Sequence, residues 1–79
     1  MGKLMNVGYG NVVNTDKIVA VLSPESAPIK RMVQKGKDNG NVVDATQGRK
    51  TKSVIVMDSD HIVLSALMPD TIATRYKEE

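Results

Sequence analysis

The chain has 79 residues, no cysteine and one histidine, His61. Disulfides, thiolate metal sites and cysteine nucleophiles are therefore excluded together, and residues 1–79 make one small domain rather than two. Net charge is only +2, yet the stretch from Lys30 to Lys52 sets seven cations against Asp38 and Asp44, a net +5 that leaves −3 for the rest.

That asymmetry points to a polyanionic partner, or to a solvated helix face beside a charged turn. Aromatic residues are 3% of the chain, Tyr9 and Tyr76 alone, so the stacking platform of an ordinary single-strand nucleic-acid binder cannot be built. A core this small leaves a thin stability margin, and without disulfides or a metal site the expected support is self-association. No apolar run reaches the roughly 18 residues of a membrane span. Neither a signal-peptide core nor a myristoylation motif follows Met1, and the expected location is the cytoplasm.

In chain order, Leu4–Val7 is a short apolar run ending in the turn Gly8-Tyr9-Gly10-Asn11. Val12-Val13, the turn cluster Asn14-Thr15-Asp16 and Ile18–Leu22 follow, so the first third predicts a small β meander. Gly8 and Gly10 are placed to supply backbone angles that side chains disfavour. Ser23-Pro24-Glu25-Ser26-Ala27-Pro28 leads into a helix with its N-cap at Ser26 or Ala27 and Pro28 in the first turn. Ile29, Met32, Val33 and Gly36 form one buried stripe at helical spacing, with Asn39-Gly40 as the C-terminal cap.

Val42–Ala45 begins the next strand, and Thr46–Lys52 is a polar, basic connection. Ser53–Met57 and His61–Leu67 are the clearest strands, joined by the tight turn Asp58-Ser59-Asp60. Their nearly unbroken apolar character implies cover on both faces, by the helix on one side and by another subunit on the other. Met68-Pro69-Asp70 opens a last short helix with Ile72, Ala73 and Tyr76 on its apolar side. The fold class is α+β, a small, mostly antiparallel sheet with two helices.

Asp58, Asp60 and His61 are the one cluster with metal-ligand or catalytic chemistry. A tight hairpin points consecutive side chains apart, and turn carboxylates accepting local N–H bonds are the simpler account. Ser59 beside His61 has no visible third member of a triad. No enzyme activity, metal, cofactor or small-molecule ligand is expected. Gly48-Arg49-Lys50-Thr51-Lys52 is more specific. Arg49 offers a planar fork of donors to phosphate oxygens or to a narrow minor groove, Lys50 and Lys52 are point charges for the backbone, and Thr51 adds a hydroxyl. The alternative is a sheet edge blunted by lysines. Lys30, Arg31, Lys35 and Lys37 either extend such a surface or solvate the helix, and solvation or a subunit interface is expected.

The segments Asn6-Val7-Gly8-Tyr9-Gly10-Asn11, Ser23 to Arg31 (SPESAPIKR), Asp44-Ala45-Thr46-Gln47-Gly48-Arg49 and Val54 to His61 (VIVMDSDH) occur in this order. Together they resemble the RemA family, the extracellular matrix regulatory protein A family, over about residues 4 to 75. The resemblance implies a bacterial DNA-binding transcriptional regulator of biofilm-matrix genes, working at the nucleoid. It also implies a fold similar to the LytTR DNA-binding domain and assembly into homo-oligomeric rings on duplex DNA. Matched by position, Arg49 and Lys50 fall on the family's Gly-Arg-Arg DNA-contacting loop, and Lys17 falls on a basic position before the Ile-Val strand. Lysine at positions 50 and 17 keeps the charge and loses the bidentate fork. The expected DNA-binding residues are Arg49, Lys50, Lys17, Lys52 and Thr51.

Overall fold

The computed structural model describes residues 3–78. Strand β1 (Leu4–Gly8) and β2 (Asn11–Asn14) form an antiparallel hairpin. Its tip residues Tyr9 and Gly10 have φ of 54° and 80°, the signature of a type I′ turn, whose twist suits a two-residue hairpin. A 3-10 turn over Thr15–Lys17, capped by the Asn14 side chain, leads to β3 (Ile18–Leu22). Helix α1 (Ala27–Asp38) starts at the N-cap Ser26, whose hydroxyl accepts from Ile29 N, and ends at Asn39, followed by Gly40 at φ 74°. Strands β4 (Val42–Asp44), β5 (Ser53–Met57) and β6 (Ile62–Ser65) and helix α2 (Pro69–Glu78) complete the chain.

The expected α+β class and both helices are present, with two corrections to the sheet. The first third is not a meander: β1 and β2 make their own two-stranded sheet, and β3 joins a four-stranded sheet of order β3-β5-β6-β4. The 3-10 turn carries the chain from one sheet to the other. The second correction is that β4 runs parallel to β6, while β3-β5 and β5-β6 are antiparallel. Helix α1 returns the chain along the sheet before β4 begins, so β4 repeats the direction of β3.

The apolar runs of β5 and β6 face two cores, because alternate residues of a strand point to opposite faces. Val54, Ile62 and Leu64 meet Leu22, Ile29, Met32, Val33 and Val42 on the α1 face. Ile55 and Val63 meet Met5, Val7, Ala45 and Ile72 on the other. The second cover is thus the chain's own β1-β2 hairpin and α2, not a neighbouring subunit. Gly36 is buried where α1 crosses the sheet, and a β-carbon there would stand 2.9 Å from Val42 Cγ2. In α2 only Ile72 is buried; Ala73 and Tyr76 line an open cleft with Met5, Ile18 and Val21.

Two buried serines pair across β5 and β6 and tie the layers together. Ser65 Oγ donates to Val7 O at 2.8 Å and accepts from Leu67 N at 3.1 Å, and the Ser53 hydroxyl donates to Leu67 O.

Candidate nucleic-acid interface

The basic connection owes its shape to the strand order. Strands β4 and β5 are not neighbours, so residues 45–52 must arch over the end of β6 that lies between them. Both feet of the arch are fastened to β6: Ala45 N donates to Leu64 O at 2.9 Å and Lys52 N to Ser65 O at 2.9 Å.

Within the arch, Asp44 sets the first bend. Its Oδ1 accepts from Thr46 N at 2.9 Å and from Thr46 Oγ1 at 2.6 Å. Thr46 is buried at 2% exposure, and Thr46 O accepts from Arg49 N at 3.0 Å. Between them Gln47 and Gly48 have φ of 54° and 77°, a second turn with both central residues in the left-handed region, as in type I′. Gln47 holds that conformation at a cost of about 1–2 kcal/mol, offset by the anchored ends. Thr46 and, more weakly, Lys37 hold the Asp44 carboxyl below the usual carboxylate range, by hydrogen bonds and by charge respectively.

Arg49, Lys50 and Lys52 stand exposed on this arch and Thr51 is half-buried. Residues 50–52 share a cleft of about 360 Å³ with Ser23, Glu25, Met68, Pro69 and Asp70. Both helices therefore begin at the loop end of the sheet, with the partial positive charge of their N-termini directed there. A row of cations on a fastened loop can hold phosphate oxygens without ordering the loop anew on binding.

Lys17 lies elsewhere. Asp58 N, just past β5, donates to Lys17 O at 2.7 Å, whereas Lys52 immediately precedes β5. At about 3.3 Å per strand residue the two are about 20 Å apart, at opposite ends of β5. The Lys17 ammonium is 3.8 Å from Asp58 Oδ2, an exposed pair of little net stability. One chain thus brings Arg49, Lys50, Thr51 and Lys52 together and leaves Lys17 apart.

In the Asp58–His61 turn, Ser59 Oγ lies 2.8 Å from His61 Nδ1 while Asp58 faces Lys17. No helix among the described residues is long and apolar enough to cross a membrane. The residues that sequence reasoning passed over are Asp44 and Thr46. The signal was there in the Asp-x-Thr spacing ahead of a glycine, an arrangement suited to a side-chain-closed turn.

Residues 4–76 match the family described as Extracellular matrix regulatory protein A-like, or RemA-like. A protein of Lachnoclostridium phytofermentans, named only as a regulatory protein, is 60% identical over 78 residues, covering 99% of this chain and 86% of that protein. Extracellular matrix regulatory protein A of Bacillus subtilis is 54% identical over 79 residues, covering 98% of this chain and 89% of that protein. A Clostridium perfringens protein, also named only as regulatory, gives the same identity and coverage. With that match over nearly its whole length, the chain belongs to the extracellular matrix regulatory protein A-like family.

Proposed function

We propose that this protein is a transcriptional regulator that binds duplex DNA as a homo-oligomeric ring, in the cytoplasm at the nucleoid, and acts on genes for the extracellular matrix. The observation that carries the reading is the arch of residues 45–52: Arg49, Lys50 and Lys52 are exposed on a loop fastened to the sheet at both feet. The regulatory names of its relatives support the same reading. A fold similar to the LytTR DNA-binding domain belongs to this proposal as well.

A single protomer of net charge +2 neutralises too few phosphates to hold DNA at physiological salt. Repeating the arch around a ring makes every contact after the first intramolecular and raises affinity without new chemistry. Two unpaired sheet edges favour such assembly: β3 and β4 are the outer strands, and Val19 and Val43 on them are 65% and 53% exposed. Unlike surfaces that meet head to tail close into rings when the rotation allows. Lys17, about 20 Å from the arch, then holds a stretch of backbone separate from the one Arg49 holds. Sequence choice comes from groove width and bendability, with Arg49 and Gln47 the exposed arch side chains suited to base edges.

Arg49→Ala/Lys50→Ala tests the assignment. Duplex binding should be lost while light scattering gives an unchanged oligomer mass. Binding unchanged in the double variant moves the site off the arch. A wild-type preference for an RNA hairpin over a duplex of equal length supports an RNA-binding regulator instead, and a ring with no nucleic-acid affinity is a scaffold.

A further inference from the structure

We propose that the phosphate track continues from the arch over α1 through Lys30 and Lys37, and that Arg31 and Lys35 on the same helix take no part. This rests on the duplex-binding reading above and revises the expectation that all four helix cations only solvate the helix or meet another subunit.

Two cations of the helix line one cleft and Lys35 lines another, while Arg31 lines neither. Lys30, Val33, Gln34 and Lys37 follow one another at i, i+3, i+4 and i+7, one face of the helix. With Pro24 and Thr51 they wall a groove of about 250 Å³ floored by Val54 and Leu64. Thr51 belongs to the arch, so this groove is continuous with the arch cations. Lys35 lines a different cleft with Met32, Gly36 and Asn39, toward Asp60 at the far end of the sheet.

Lys30 and Lys37 lie about 10.5 Å apart along the helix, two turns on one face. Two of the carboxylates nearby are already engaged, and exposed Glu25, beside Pro24 of the groove wall, makes no ion pair within 4.0 Å among the described residues. Asp38 accepts from the Gln34 amide at 3.2 Å, and Asp44 holds Thr46 while feeling the field of Lys37. Among the described residues the one ion pair within 4.0 Å is Lys17–Asp58, so both groove ammoniums remain available to an incoming phosphate. Both ammoniums stand exposed at the rim of the groove, so their attraction for phosphate is screened by salt.

The test is duplex binding by fluorescence anisotropy over about 50–200 mM salt. It compares wild type, Arg49→Ala/Lys50→Ala, Lys30→Ala/Lys37→Ala and Arg31→Ala/Lys35→Ala, with circular dichroism confirming the fold of each. The two helix variants remove the same formal charge. Lys30→Ala/Lys37→Ala should lower the logarithmic salt slope by about 1.8 for each protomer engaged, Lys30→Arg/Lys37→Arg should restore it, and Arg31→Ala/Lys35→Ala should leave it unchanged. An unaltered slope in Lys30→Ala/Lys37→Ala, or an equal loss in both helix variants, overturns the proposal. Loss in Lys30→Ala/Lys37→Ala with full binding by Arg49→Ala/Lys50→Ala keeps the helix track and removes the arch. No duplex binding by wild type removes both.

Discussion

Replacing Ser65 by alanine removes one buried oxygen and leaves two backbone groups without partners. Ser65 Oγ donates to Val7 O and accepts from Leu67 N, and Ser65 and Val7 are fully buried. Val7 sits at the irregularity of the β1-β2 register, between the pairs Asn6↔Val12 and Gly8↔Asn11, where its carbonyl turns toward the large sheet. Leaving buried Val7 O unpaired costs about 1–3 kcal/mol, and part-buried Leu67 N stands at the low end of that range, about 1 kcal/mol. The change in volume is one atom, so a cavity contributes little. Ser65→Ala should therefore lose about 2–4 kcal/mol, a large share of the roughly 4–12 kcal/mol that a domain of this length holds. Urea unfolding at one fixed protein concentration measures it, because self-association shifts apparent stability. The midpoint should fall with the slope unchanged, and the thermal midpoint should drop by about 8–30 °C. Ser53→Ala, which removes the single bond to Leu67 O, should cost less. A loss below about 0.5 kcal/mol in Ser65→Ala, or one no larger than that of Ser53→Ala, would refute the reasoning.

Two further perturbations probe the packing of α1 and the bend of the arch. Gly36→Ala gains about 1 kcal/mol of helix propensity, but its β-carbon would meet Val42 Cγ2 at 2.9 Å and Ile62 Cδ1 at 3.1 Å. With an overpacking cost of about 1–3 kcal/mol, net destabilisation of up to about 2 kcal/mol is expected, and a raised melting temperature would contradict it. The Asp44 carboxyl lies below its ordinary value because of Thr46 first and Lys37 last. Its stabilisation is therefore fully present above the ordinary carboxylate value of about 3.9 and is lost as pH falls through the lower folded value. Asp44→Asn should flatten that acid limb, and Asp44→Ala or Thr46→Val should lower the melting temperature and weaken duplex binding at neutral pH. Identical acid limbs in wild type and Asp44→Asn would count against the turn as described.

Local signals carried much of the fold. The N-cap, placed at Ser26 or Ala27 and found at Ser26, Pro28 in the first turn, the stripe Ile29-Met32-Val33-Gly36 and Gly40 after the helix were legible, because each rests on chemistry within a few residues. The Tyr9-Gly10 and Asp58–Asp60 turns were legible for the same reason. Partner choice among strands was not. The residues of Ile18–Leu22 do not say whether they pair with Asn11–Asn14 or with Ser53–Met57, and the parallel pairing of β4 with β6 depends on where α1 returns the chain.

The same limit applied to the site. Charge and turn residues marked Gly48–Lys52, but only the strand order shows that this loop bridges two strands across a third. The distance from Lys17 to the foot of the arch at Lys52, and the placement of Lys30 and Lys37 in one cleft and Lys35 in another, depend on long-range packing that spacing along the chain does not encode. Apolar runs in β5 and β6 pointed to cover on both faces, yet nothing in them distinguishes cover by another subunit from cover by the chain's own hairpin and second helix.

The most direct test of the account is the salt dependence of duplex binding by the wild-type protein, with oligomer mass followed by light scattering in the same buffers. A repeated phosphate-binding arch predicts an oligomer whose logarithmic affinity falls steeply with logarithmic salt, by about 0.9 for each phosphate held. A slope worth fewer than about two phosphates, or binding by a protein that is monomeric throughout, would contradict it.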